Sequence, residues 1–267
     1  PGSSGLGGGG FMVIWNAERR SATTLDYRER APAAATRDLF TRPGPDGKPA
    51  SSQRGGKAVA VPGHVAGLCY ALKKYGTMPL KKVLTPAIRY AEMGVPLDEH
   101  EVNARRRIIA ATKQIDESTV NTTALRRGYL GEWKAGDRFQ SPQLAALQAL
   151  AKHGRDAFYK GEIGKALVEE VRHQGGILTL EDMATMDVVE RKPLTTDFDE
   201  LKIFSMPPPS SGGVALIESL NILRRLEATK LGGPVESLGH NSPEYLHVLT
   251  ETMKHAFADR AELDRKS

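Results

Sequence analysis

The sequence predicts a helix-rich α+β chain. Strand-like runs stand near the N terminus and again at 193–206, while segments with helical spacing lie between and after them. The composition, 40% hydrophobic and 26% charged, argues against a disordered or collagenous chain. At 267 residues the chain suffices for one large domain or two small ones, and its core needs no disulfide or metal staple. Aromatics are only 6%, so the core is expected to be aliphatic and alanine-rich.

The elements follow in chain order. Phe11 to Trp15 (FMVIW) is a continuous apolar run, expected as a buried strand. Residues 20–28 read as a second strand after a hairpin-like connection at 16–19. The Pro-, Gly- and Ser-rich stretch 33–56 reads as a loop with one helical turn at most. A short strand is expected at 58–61, stopped by Pro62-Gly63. Val65, Leu68, Cys69 and Leu72 then recur at helical spacing up to Gly76. Leu80, Val83, Leu84, Ala87, Ile88 and Ala91 share a second helical face, in which Pro86 predicts a kink or two abutting helices.

Further on, Ser141-Pro142 predicts a capped helix start for 144–152, closing at Gly154. A helix over 162–172 ends at Gly175-Gly176, and Thr179 to Asp182 has capping-box spacing. A hairpin is expected from 193–198 and 201–206, and Pro207-Pro208-Pro209 must leave the sheet because three prolines remove three ladder donors. Residues 210–213 turn into a helix from about Val214 to Glu227. Ser242-Pro243 starts the last helix, with Leu246, Leu249, Met253, Ala256 and Phe257 on one stripe.

Several function classes are excluded or weakened. One cysteine, Cys69, rules out a disulfide within the chain and any Cys-cluster metal site; its place on an apolar stripe predicts a buried small hydrophobe. The net charge of +5 is too mild to imply nucleic acid unless it is focused. Its densest spots, Arg105 to Arg107 with Arg126 and Arg127, read as a solvated face. No apolar run approaches the roughly 20 residues of a membrane span, and no signal peptide opens the chain. His247 and His255 are eight residues apart, about 12 Å along a helix, so with Glu251 they read as a surface stripe and not a metal site. The other five histidines have no partner spacing that suggests a site.

Two motifs remain. Gly5 to Gly10 formally satisfies G-x-G-x-x-G, yet the dinucleotide fingerprint needs a strand before it and a helix after it, and here a strand follows. The glycines then signal a backbone that needs positive φ or close approach to a ligand or another chain segment. No G-x-S-x-G elbow or other nucleophile signature is present. In Asp26-Tyr27-Arg28-Glu29, a strand end feeds a loop, a common place for functional residues. Arg28 can pair structurally with Glu29 or Asp26, or grip a substrate carboxylate through its planar fork.

Taken together, SSGLGGGGFMVI, TLDYRERAP, AVAVPGHVAGLCYALKKYGTMPL, MPPPSSGG and KHAFADR occur in this order from about Ser3 to Arg260. The chain thereby resembles the large subunit of γ-glutamyltranspeptidases. The resemblance implies the large-subunit part of an αββα N-terminal-nucleophile hydrolase sandwich, with residues 1–267 a partial large subunit lacking an N-terminal leader segment and the whole small subunit. It implies γ-glutamyl transfer from glutathione or similar donors to water or amino acids. The threonine nucleophile and oxyanion-hole glycines would belong to the small subunit cut from the same precursor. No catalytic residue then lies in this chain, and Arg28 matches the family arginine that binds the donor α-carboxylate. Tyr27 is given no role, and the two glycine-containing motifs are given structural ones. No metal or cofactor is implied, and export to the periplasm or cell surface is. The rivals are an acylase acting on another amide, such as a cephalosporin side chain, and a non-catalytic binder that kept the scaffold.

Overall fold

The structure, a computed structural model, describes residues 5–44, 47–112, 122–129 and 131–266, without the side chains of residues 124, 126, 127 and 264–266. The chain divides into two compact units: Pro1–Gly9 with Arg28–Asp187, and Gly10–Tyr27 with Val188–Ser267.

In the second unit, β1 (Phe11–Asn16) and β2 (Ser21–Asp26) form an antiparallel hairpin in the register Phe11↔Asp26 to Asn16↔Ser21. The first unit is mostly helical. α1 (His64–Tyr75) ends at Gly76, and α2 (Leu80–Met93) runs without a break through the exposed Pro86. β3 (Val95–Pro96) leads into α3 (Glu99–Thr112) and α4 (Thr123–Gly128), then pairs with β4 (Arg138–Phe139). α5 (Leu144–His153), α6 (Arg155–Tyr159), α7 (Glu162–His173) and α8 (Leu180–Ala184) complete it, with α5 against α2.

The chain then returns to the second unit. β5 (Val189–Arg191) adds to β2, giving the antiparallel order β1-β2-β5. β6 (Leu194–Phe198) and β7 (Leu201–Ser205) form a separate hairpin, followed by α9 (Ser211–Leu226) and α10 (Pro243–Lys266). α9 packs on both the β6–β7 hairpin and α10.

The predicted capping box is present in full. The Thr179 hydroxyl accepts from the Asp182 N–H, and the Asp182 carboxylate accepts from the Thr179 N–H at 2.9 Å. Ser242 also caps α10, its hydroxyl accepting from the Tyr245 N–H at 3.0 Å.

Other expectations need correction. Residues 58–61 form no strand: a 3-10 turn spans Gly56–Ala58, and only Val61 pairs, with Arg30. Pro142 lies in a turn, so α5 starts at Leu144 without a side-chain cap. α9 begins at Ser211, three residues earlier than the apolar spacing suggests, because its first turn packs on the end of β7. A Cβ on Gly213 would overlap the Met206 carbonyl, so only glycine permits that approach. β1 is not buried on both faces, since Val13 and Trp15 are 44% and 52% exposed. The expected α10 stripe divides: Ala256 is buried, whereas Leu246, Met253 and Phe257 are exposed.

Candidate functional site

The sequence-predicted site residue, Arg28, follows directly on the central strand β2. That strand becomes progressively locked toward its end. Thr24 and Leu25 are fully buried, and Asp26 and Tyr27 nearly so. The ladder continues one step past β2: the Tyr27 N–H donates to the Gly10 carbonyl at 3.0 Å, and the Gly10 N–H donates back at 3.3 Å. The Tyr27 ring lies against Gly10, where a Cβ would come within 2.9 Å of the ring, and its hydroxyl donates to the Phe11 carbonyl at 3.4 Å. Burial raises the Tyr27 phenol above its ordinary value. Tyr27 therefore has a packing role that the sequence did not assign to it.

Asp26 is held from β5. Both Nε and Nη2 of Arg191 donate to its Oδ2, at 3.0 and 2.8 Å, and the Thr24 hydroxyl donates to the Arg191 carbonyl at 2.8 Å. Sequence reasoning missed Arg191. Its partner lies 165 residues away, and no local spacing signals the pair.

Downstream of the exposed Arg28 and Glu29, the chain is anchored again. Arg30 exchanges backbone hydrogen bonds with Val61 at 3.2 and 2.8 Å, and its Nη2 donates to the Asp187 carbonyl at 3.1 Å. Arg28 thus follows in sequence directly on the locked end of β2, and it is exposed.

The glycine-rich loop serves a different end from the one its motif formally suggests. The Gly8 carbonyl accepts from the N–H groups of Gly63 and His64, at 2.9 and 2.8 Å. The Tyr159 hydroxyl accepts from Ala66 N–H at 3.0 Å and donates to the Pro62 carbonyl at 2.8 Å. The N–H groups of Gly63, His64 and Ala66 at the start of α1, where donors elsewhere receive phosphate, are here taken by the protein's own oxygens. Burial pushes the Tyr159 phenol up to about 12, keeping it a neutral donor. The close approach expected of the glycines is to another chain segment.

Two other motifs meet in the second unit. Arg260, of the KHAFADR sequence, donates from Nε to the Ser211 hydroxyl at 2.8 Å, tying α10 to the first turn of α9. Ser211 therefore has a structural partner, in keeping with the role expected of MPPPSSGG.

The remaining candidates do not assemble a site. His247 and His255 are exposed, and Glu251 bonds to Lys254 at 2.9 Å. Among the described residues, no group of three His, Cys, Asp or Glu side chains could hold a metal. Cys69 is half-buried, not fully buried as expected, because it lines a cavity of about 300 Å³ with Leu72, Met78 and Arg155. Burial raises its thiol above the ordinary value, against a weaker opposing pull from Arg155. Arg105 departs from the expected solvated face, its guanidinium lying 4.1 Å from the centre of the Phe139 ring; the Arg126 and Arg127 side chains lie outside the described residues.

Comparison with known proteins decides the family. The model of the γ-glutamyltranspeptidase family matches residues 1–266. The chain belongs to that family. It is 36% identical to the glutathione hydrolase proenzyme of Escherichia coli over 98% of its own length and 43% of the relative's. The γ-glutamyltranspeptidase of Pseudomonas nitroreducens, solved in complex with L-DON, superposes with a TM-score of 0.82 at 33% identity, over 98% of this chain and 74% of that one. A cephalosporin acylase from Bacillus halodurans superposes at 0.75 with 26% identity, over 96% of this chain and 45% of that one. The chain spans less than half the length of the curated relatives it matches. The helix-rich α+β fold is that of the γ-glutamyltranspeptidases. Among the described residues, no helix is long and apolar enough to cross a membrane.

Proposed function

We propose that this chain is the large-subunit, donor-binding part of an enzyme that removes the γ-glutamyl group from glutathione-like donors and passes it to water or an amino acid. The observation that carries the reading is Arg28: an exposed arginine directly after a strand whose last residues are locked by an ion pair and a ladder. An exposed guanidinium following such a strand end suits a carboxylate, because two parallel N–H donors match its two oxygens.

The chemistry itself is assigned to a small subunit from the same precursor. The N-terminal threonine of that subunit attacks the γ-amide carbonyl through its hydroxyl oxygen, and its own α-amine takes the hydroxyl proton. Backbone donors hold the tetrahedral oxyanion, and the C–N bond then breaks with the proton passing to the leaving amine. Water or an amino acid amine next attacks the acyl-enzyme ester, releasing glutamate or a new γ-glutamyl amide and restoring the threonine. Coverage of the relatives supports a two-chain protein. The same 98% of this chain corresponds to 43% of the Escherichia coli proenzyme and to 74% of the solved Pseudomonas nitroreducens chain. The periplasm or cell surface is the proposed location, on family membership alone.

The likeness to the cephalosporin acylase favours a second reading, hydrolysis of another acyl amide. The higher identity to glutathione hydrolases, 36% against 26%, ranks it below the first. Assaying the complete protein on γ-glutamyl and glutaryl anilides separates the two. Preference for the γ-glutamyl anilide is expected, and preference for the glutaryl anilide, which keeps the carboxylate and lacks only the α-amine, would establish the acylase instead.

A further inference from the structure

We propose that the Arg191–Asp26 ion pair is the positioning element for Arg28 in donor recognition. The proposal rests on the reading of Arg28 as the group that binds the donor carboxylate. Arg191 and Asp26 are positioning residues, acting through the main chain that carries Arg28.

The geometry has three parts. Asp26 is only 8% exposed, so its carboxylate needs a partner, and Arg191 supplies two N–H donors to the same Oδ2. A planar guanidinium bonded through both Nε and Nη2 fixes direction as well as distance, which a lysine ammonium would not. Arg191 is itself held at its backbone, where its carbonyl accepts from the buried Thr24 hydroxyl. The ties to Thr24 and Asp26 therefore clasp two successive same-face positions of β2 from a strand only three residues long.

On the opposite edge, the exchange of hydrogen bonds between Tyr27 and Gly10 closes the clasp one residue further on. A single trans peptide, about 3.8 Å between Cα atoms, then leads from Tyr27 to Arg28. A slip of β2 by one residue would turn Asp26 away from Arg191 and carry the following arginine to the other side of the strand. The fully buried Leu25 would anchor the strand without any charge, and a well-packed apolar pair is often as stable as a buried ion pair. What the charged pair adds at this place is a unique register, next to the residue assigned to the ligand.

The test uses the complete processed protein and two donors: γ-glutamyl anilide and 4-aminobutanoyl anilide, the same donor without its α-carboxylate. Arg28→Ala is run beside Arg191→Lys and the neutral double variant Asp26→Asn/Arg191→Gln. For Arg191→Lys we expect KM for γ-glutamyl anilide to rise about tenfold with a smaller fall in kcat, as a misplaced binding group weakens ground-state and transition-state contacts together. Use of 4-aminobutanoyl anilide should change less than about twofold. The double variant removes both charges, leaves no buried ion unpaired, and should show the same selectivity.

If Arg28→Ala discriminates between the donors and neither Arg191 variant does, the positioning proposal fails while the reading of Arg28 stands. If Arg28→Ala loses equally on both donors, the reading of Arg28 fails and the proposal goes with it. If both Arg191 variants fail to fold, the pair belongs to the fold alone, and the proposal is overturned.

Discussion

Replacing Arg28 by lysine keeps the charge and removes the fork, so the substitution should not be benign. Losing one charge-assisted hydrogen bond, worth about 1.5–3 kcal/mol, should weaken use of a γ-glutamyl donor about tenfold to a hundredfold. Steady-state kinetics of the complete Arg28→Lys protein check this, and KM should rise at least as clearly as kcat falls. Gly10 makes a second prediction at this scale. Gly10→Ala would drive a methyl to 2.9 Å from the Tyr27 ring beside the last ladder rung of β2. Overpacking of this kind costs about 1–3 kcal/mol, so urea unfolding of the complete protein should show the loss, together with a higher KM for donor. The exposed place of Arg28 just after a strand was legible because a strand pattern, a loop and a local motif all fall within a few residues. Arg191 was not, because a strand of three residues carries little periodicity and its partner is distant in sequence. Tyr27 was passed over for a related reason: what its ring covers, Gly10, becomes its neighbour only when the hairpin closes.

Local signals at the level of elements were read well wherever the chain itself supplies the partner. The capping box at α8 is one such case, and it carries a pH dependence. Burial tends to raise the Asp182 carboxyl, but hydrogen bonds from the Ala33 N–H and from the Thr179 hydroxyl and N–H outweigh it and leave the group below the ordinary 3.8. Because the folded value is depressed, the stabilisation is fully present above the ordinary value and is lost as pH falls through the folded one. Asp182→Asn should therefore lower stability at neutral pH, where a lost hydrogen bond costs about 0.5–1.5 kcal/mol. The gap to wild type should close in strongly acid solution; thermal unfolding from neutral pH downward checks this, and a constant gap would assign the loss to packing. Signals failed where a distant segment decides the outcome. Residues 58–61 look like a strand, yet only Val61 finds a partner. The glycine run imitates a nucleotide motif, yet its Gly8 carbonyl caps α1 from more than fifty residues away in sequence. The start of α9 moved because Gly213 lets the helix approach Met206, an approach that apolar periodicity does not encode.

At the scale of the whole molecule, helix content and the family were legible because motifs and helix stops are local. Which apolar faces find partners was not. Val13 and Trp15 on β1, and Leu246, Met253 and Phe257 on α10, are exposed in this chain. Apolar patches of this kind mark surfaces that other segments cover. The 267-residue chain alone should accordingly bind a hydrophobic dye strongly, and the complete processed protein should bind it far less. A dye-silent, cooperatively unfolding chain would show that these residues need no further cover. The central claim is a division of labour, with the donor held by this chain and the nucleophile supplied by another. The most direct measurement compares turnover of γ-glutamyl anilide by the complete protein and by the purified 267-residue chain. Turnover by the complete protein and none by the chain alone is the result predicted; turnover by the isolated chain, or none by either, would contradict it.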